Sequence, residues 1–385
     1  MTSTKVLRTA IVGCGKIADQ HVEAMRRAGD CTLVAVCDRD GLMAEQLGER
    51  AGAAAFSDLG HMLTSVRPDV VHITTPPQGH FVLAQQCLSF GANVYLEKPF
   101  TLTADDACEL IDTANQTGLK LTAGHNYQFT LEMLEMRRLV SSGFLGGRPV
   151  HVESHWPYDL SDRTYAAAML GSHTHWVRQL PGKLLHNLIS HGVAKLAEFL
   201  DDELVEIKAV AGQSATVQEL DASDIIDELR VLIKDRNGTT GFFCFSSQIK
   251  PGLNWLRISG PRNSIEVDHM SGSVIRHRGR AYKSYLTYLV RPFVNGSDHL
   301  RSGFRNIQNF CQRKLYHDFG MKELVRRFYD SIRTGGDVPI PYRQILLTAR
   351  IMDEIFAQIY PTDSTGRTQE CERVHANSSA VAVAT

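Results

Sequence analysis

Apolar positions along the first 125 residues follow two alternating rhythms. Residues 6–12 form an apolar-rich run of strand length that stops at Gly13-Cys14-Gly15-Lys16-Ile17-Ala18. The spacing of Val22, Met25 and Ala28 then predicts a helix closed by Gly29. The alternation continues, with strands predicted over 32–37, 69–74, 93–96 and 119–123. Helices are predicted over 44–51, 81–90 and 103–117, the last two ended by Gly91 and Gly118. Strands separated by helices predict an α/β fold with a doubly wound parallel sheet, whose ligands sit beyond the strand C-termini.

From about residue 126 the rhythm changes. Short segments at 150–155, 205–210, 229–233, 241–245, 255–259 and 264–267 read as strands with few helices among them, and Asn237-Gly238 is a hairpin signal. Helices are predicted over 183–200, 301–334 and 343–360. The expected organisation is therefore a dinucleotide-type unit over 1–125 and a second, α+β unit over 126–360. The Ser-, Thr- and Ala-rich tail over 361–385 is expected to be disordered.

Composition narrows the classes. Apolar residues at 43 % and charged residues at 22 % suit a soluble globular chain. No apolar run approaches the ~20 residues of a membrane span, and the first apolar stretch runs straight into the glycine motif, unlike a secretory signal. Eight scattered cysteines without a Cys-x-x-Cys pair argue against a disulfide framework or zinc ribbon and fit the reducing cytoplasm. The net charge of -1 hides an asymmetry, because residues 276–350 hold 15 Lys and Arg against 5 Asp and Glu. Helix surfaces and subunit contacts account for that stretch best, a phosphate-bearing substrate next; nucleic acid is not an expected partner.

The glycine motif stands in the context that gives it meaning: strand, G-x-G-x-x-A, helix, strand, acid. Gly13 permits the tight turn, and Gly15 lets the backbone approach a pyrophosphate. Amides around Lys16 and Ile17 at the helix N-terminus meet its charge. Asp38 ends the second strand, where a carboxylate accepts from ribose hydroxyls and repels a 2′-phosphate. NAD is therefore expected rather than NADP, although the neighbouring Arg39 would favour the phosphate. Thr75, Pro76, His80, Glu97, Lys98 and His125 fall at the same edge of the sheet, and all but His125 are expected to line the cofactor.

Four segments carry a resemblance: the glycine motif, Thr75-Pro76-Pro77-Gln78-Gly79-His80, Glu97-Lys98-Pro99 and Gly124-His125-Asn126-Tyr127-Gln128-Phe129. Together they resemble the Gfo/Idh/MocA family of oxidoreductases over nearly the whole chain. The resemblance implies NAD(P)-dependent oxidation of a CH-OH group in a sugar, cyclitol or nucleotide sugar. It also implies an open, mostly antiparallel C-terminal sheet covering the cofactor, and a homodimer or homotetramer. Lys98 inherits contact with nicotinamide and reacting hydroxyl, where a cation stabilises the developing oxyanion.

The family usually carries Asp-x-x-x-His on the helix predicted at 183–200, the histidine being the general base. His191 matches, but Asn187 replaces the aspartate, and an amide positions a hydroxyl without accepting a proton. Two rival readings stay open: a redox-neutral enzyme with retained NAD, using Tyr127, Tyr158 or Tyr165 as acid/base groups, and a non-catalytic NAD-binding subunit. Expected substrate residues are His125, Tyr127, Gln128 (often arginine in the family), and Trp156 and Trp176 as sugar-stacking rings. Arg163 and Arg178, with Lys183, are expected to hold a phosphate or carboxylate. His173, His175, His186 and His191 read as loop and helix residues, not a metal cluster, since no acid or cysteine lies close by.

Overall fold

The computed structural model describes residues 6–360 apart from 173, 221, 281 and 316–318. The tail over 361–385 and His173 lie outside the described residues. Two sheets organise the chain. The first contains β1 (Leu7–Val12), β2 (Cys31–Cys37), β3 (Ala54–Phe56), β4 (Val70–Ile73), β5 (Asn93–Leu96) and β6 (Leu121–Ala123), all parallel, in the order β3-β2-β1-β4-β5-β6. The strand order reverses between β1 and β4, which opens a crevice at their C-terminal ends. β4 and β5 are buried at every position, as strands covered by helices on both faces must be. β3 and the helix Leu59–Val66 escape the sequence pattern, because β3 has only three residues and two of them are exposed.

The second sheet holds β7 (His151–Pro157), β8 (Leu204–Gly212), β9 (Glu228–Asp235), β10 (Thr240–Ser246), β11 (Trp255–Ser259), β12 (Asn263–Asp268) and β13 (Ser273–Arg278). Their order is β13-β12-β11-β7-β10-β9-β8, and only the β7–β10 pair is parallel. The α/β class with a parallel sheet followed by a mostly antiparallel one is therefore as expected. β13 was not predicted, since its Arg276-His277-Arg278 end disguises a strand. Helices are also commoner than expected, with Leu131–Ser141 and Arg163–Leu170 in the second half.

The helix expected over 183–200 is two helices, Lys183–Leu188 and Ser190–Ala197, interrupted at Ile189. The helix expected over 301–334 is likewise two. One runs Ser284–Cys311 along β13, and the other, Phe319–Thr334, returns to the first sheet and joins its core through Leu324, Val325, Phe328 and Tyr329.

That return is secured by a buried polar chain. Tyr329 OH lies 2.9 Å from His72 Nε2, His72 Nδ1 lies 2.9 Å from His21 Nδ1, and His21 Nε2 lies 3.0 Å from Glu97 Oε1. Burial first, and His21 next, keep His72 neutral. With Glu97 ionised, the bonds are satisfied when Tyr329 donates to His72, His72 to His21, and His21 to Glu97. Burial alone would push the Glu97 carboxyl up, but the hydrogen bond from His21, with help from Lys98, holds it below its usual value. Replacing Tyr329 by Phe leaves His72 Nε2 buried without a donor, and should cost ~1–3 kcal/mol. Urea unfolding measures it, and unchanged stability would contradict the directed chain.

Candidate active site

The crevice begins at the glycine loop. Gly13 has φ +97°, and a Cβ there would lie 2.8 Å from the backbone nitrogen of Thr75, so only glycine fits. Gly15 faces open space, with nothing within 4 Å of where its Cβ would be. The helix that follows, Ala18–Ala28, has no side-chain cap. The Asp38 carboxylate accepts from the Cys14 amide at 2.7 Å and from the Asp40 amide at 3.0 Å. It braces the loop while remaining half-buried at the crevice. A backbone left bare at Gly15, an uncapped helix start and a carboxylate one strand away fit the pyrophosphate and ribose of a dinucleotide.

Lys98 follows β5 at the centre of the crevice. Its Nζ donates to the Asn187 backbone carbonyl at 3.2 Å and to Asn187 Oδ1 at 3.3 Å. The interruption at Ile189 makes this possible, because a continuous helix would engage the Asn187 carbonyl with the amide of residue 191. Burial lowers the Lys98 pKa, and Glu97 only partly opposes it.

His191 opens the second short helix. Its ring centroid lies 5.0 Å from Tyr127, 5.3 Å from Trp156 and 6.0 Å from His125. Its Nδ1 and the Nε2 of His125 are buried without a hydrogen-bond partner in the described structure. Burial, then Lys98, His125 and Lys195, drive the His191 pKa well below the ordinary value; burial takes His125 down to about 4. Both imidazoles are neutral at neutral pH and each offers an unengaged nitrogen. Gly192 lets this helix press on the second sheet, since a Cβ there would lie 2.4 Å from Phe243.

Residues 7–125 match the profile described as oxidoreductase family, NAD-binding Rossmann fold, and residues 133–266 match the Gfo/Idh/MocA C-terminal domain. The chain belongs to the Gfo/Idh/MocA oxidoreductase family. Among relatives, D-glucoside 3-dehydrogenase of Escherichia coli K12 is 37 % identical over 148 residues, covering 38 % of this chain and 42 % of that protein. Inositol 2-dehydrogenase of Rubrobacter xylanophilus is 25 % identical over 275 residues, covering 70 % of this chain and 74 % of that protein. The WlbA dehydrogenase of Bordetella pertussis, solved with NADH and UDP-GlcNAcA, superposes with TM-score 0.73 at 18 % identity, covering 94 % of this chain and 100 % of that one.

Against this Gfo/Idh/MocA frame the expected site residues divide. Lys98, Asn187, His191, His125, Tyr127 and Trp156 come together, Trp156 as a buried wall instead of an open stacking surface. Lys16 and Arg39 are exposed at the crevice rim, with Ile17, Thr75 and Pro76 beside the glycine loop. Glu97 turns inward to His21 instead of facing a cofactor, and its second oxygen accepts from the Lys98 amide at 3.1 Å. His80 is also buried between two crevice loops, its ring nitrogens 3.0 Å from the Thr75 and Pro99 carbonyls; burial lowers its pKa, and the single N–H of the neutral ring donates to one of them.

Gln128 is buried with its amide on the Ala194 carbonyl and Glu198. Arg163 pairs with Glu219 at the surface, whereas Arg178 and Lys183 both pair with Asp224. Each of these cations thus has an acid partner within the chain, Arg178 and Lys183 sharing one. Trp176 is half-buried, and its carbonyl accepts from Gln78 at 2.9 Å, which ties its loop to the crevice edge. Among the described residues no group of three or more His, Cys, Asp or Glu side chains is placed to hold a metal.

Sequence reasoning passed over Lys195. It is fully buried, donates to Asn254 Oδ1 at 3.0 Å and lies 5.0 Å above the Trp156 ring. Behind it His269 Nδ1 meets Glu132 at 2.7 Å. A lysine inside the apolar run Val193-Ala194-Lys195-Leu196-Ala197 was the available signal. Burial pulls its pKa down to about 7, against the pull of Glu132. In the unfolded chain the lysine keeps its proton up to about pH 10.4, so stability should rise with pH between about 7 and that value. Lys195→Met should remove this rise and lift the His191 pKa by deleting a neighbouring cation. Urea midpoints across that pH range and imidazole NMR check the two effects.

Proposed function

We propose that this chain is an NAD-dependent dehydrogenase acting on a ring hydroxyl of a sugar, cyclitol or nucleotide sugar. One observation carries the reading: a lysine ammonium held by Asn187 shares a crevice with two neutral imidazoles, each with an unengaged nitrogen. The names of the relatives, a glucoside dehydrogenase and an inositol dehydrogenase, support the substrate class. Asp38 supports NAD over NADP, because its carboxylate would repel a 2′-phosphate.

NAD, when bound on the glycine loop, supplies the hydride acceptor. Lys98 donates a hydrogen bond to the reacting hydroxyl oxygen and stabilises the negative charge that grows there. His191 accepts the hydroxyl proton. It does so as a neutral base, since burial and Lys98 both disfavour its charged form. Asn187 does not take the proton; its two oxygens fix the ammonium that defines where the hydroxyl sits. Tyr127 and Trp156 wall off His191 from water.

Lys98→Met should lower kcat by ~100- to 1,000-fold, as loss of an oxyanion-stabilising donor does. NAD affinity, followed by fluorescence titration, should stay near the wild-type value. Activity falls when His191 is protonated, and because its pKa is depressed the acid limb of kcat/KM should lie below pH 6.5. The assay is a panel of sugars, cyclitols and nucleotide sugars with NAD+, read by nicotinamide absorbance and product mass. Substrate-dependent NADH supports a net dehydrogenase. A changed product without NADH would replace it with the redox-neutral cycle.

A further inference from the structure

The helix Ser284–Cys311 is amphipathic with its faces exchanged. Its polar side faces the protein. Asp298 accepts from the Arg276 amide at 3.1 Å, Ser302 accepts from the Val274 amide at 3.2 Å, and Asn306 donates to the Ser271 carbonyl at 2.9 Å. These contacts satisfy the free edge of β13, the outermost strand of its sheet. The apolar side is left outside. Leu289, Phe293, Leu300, Phe304, Ile307 and Phe310 are each 59–81 % exposed, and their spacing by three, four and seven residues puts them on one face.

The helix has 28 residues and so extends about 42 Å. A lone exposed phenylalanine needs no explanation, but an apolar stripe repeated along most of the helix marks a contact surface.

Charge selects the occupant. Residues 276–315 contain nine Lys and Arg against a single acid, Asp298, and that acid is buried against Arg276. Arg280, Lys283, Arg291, Arg301, Arg313 and Lys314 are exposed. A second copy of the chain laid on this face would bring like charges together. An anionic bilayer offers the opposite charge, and its interface takes up aromatic and aliphatic side chains beneath a basic rim.

We propose that the helix Ser284–Cys311 docks the protein, lying flat, on anionic lipid membranes through its outward apolar stripe and basic flanks. No helix among the described residues is long and apolar enough to cross a membrane, so the helix rests on the bilayer without spanning it.

Flotation of the full-length protein with two kinds of vesicle tests the proposal: phosphatidylcholine alone, and equimolar phosphatidylcholine and phosphatidylglycerol. Binding to the anionic vesicles, reduced by salt, is the expected result. Phe293→Glu with Phe304→Glu should abolish it while leaving the circular dichroism spectrum unchanged, since both rings are exposed. Arg291→Glu with Lys314→Glu should weaken it by at least about tenfold. Absence of binding, or equal binding to neutral vesicles, overturns the proposal. A dimer that becomes monomeric in the double glutamate variant, with wild-type protein ignoring vesicles, would assign the face to a second copy. Duplex DNA binding lost only in the charge-reversed variant would assign it to nucleic acid.

Discussion

The contact between the Lys98 ammonium and the Asn187 backbone carbonyl, 3.2 Å long, is what makes one site of two sheets. The lysine comes from the end of β5 and the carbonyl from a break in a helix packed on the second sheet. Each side is prepared independently. Beneath Lys98, Glu97 is anchored by His21, and through it by His72 and Tyr329, the last contributed by a helix that follows the second sheet in the chain. Around Asn187, the interruption at Ile189 frees the carbonyl, and Gly192 lets the following helix seat against β7 and β10. A cation so placed depresses the neighbouring imidazoles, and the reading of His191 as a neutral base depends on it.

The aspartate-to-asparagine difference at 187 takes a specific meaning from this geometry. A carboxylate beside Lys98 would favour its charged form strongly. The amide supplies a dipole only, and burial is left to lower the lysine pKa. The charge beneath His191 is likewise organised without an acid in contact, as Lys195 sits behind Trp156 and the Glu132–His269 pair lies beyond. Around Lys98 the crevice thus presents a cation and neutral rings, with Glu97 turned inward to His21, an arrangement suited to a reaction whose transition state carries negative charge on oxygen.

Much of the fold was legible because short continuous apolar runs mark the buried strands of the first sheet, a helical rhythm marks the helices between them, and alternation marks strands such as β7 and β9. The glycine loop, Lys98 and His191 were legible for a different reason: the fingerprint and the family resemblance name them. Three features were hidden, each with a physical cause. The break at Ile189 leaves the apolar periodicity of 183–200 intact, so the pattern reads as one helix. Charged residues near a loop look available for ligands until tertiary partners such as Asp224 and Glu219 are placed. The helix Ser284–Cys311 has the amphipathic pattern of a core-facing element, and only the structure reveals that β13 takes its polar side.

The central claim is that Asn187 holds a Lys98 ammonium whose pKa burial has lowered. An NMR titration of the Lys98 ε-methylene, assigned by its loss in Lys98→Met, tests this before any substrate is known. The account predicts a midpoint below the ordinary lysine value of 10.5, moved upward in Asn187→Asp by the added negative charge. A midpoint at the ordinary value, unmoved by Asn187→Asp, would contradict it.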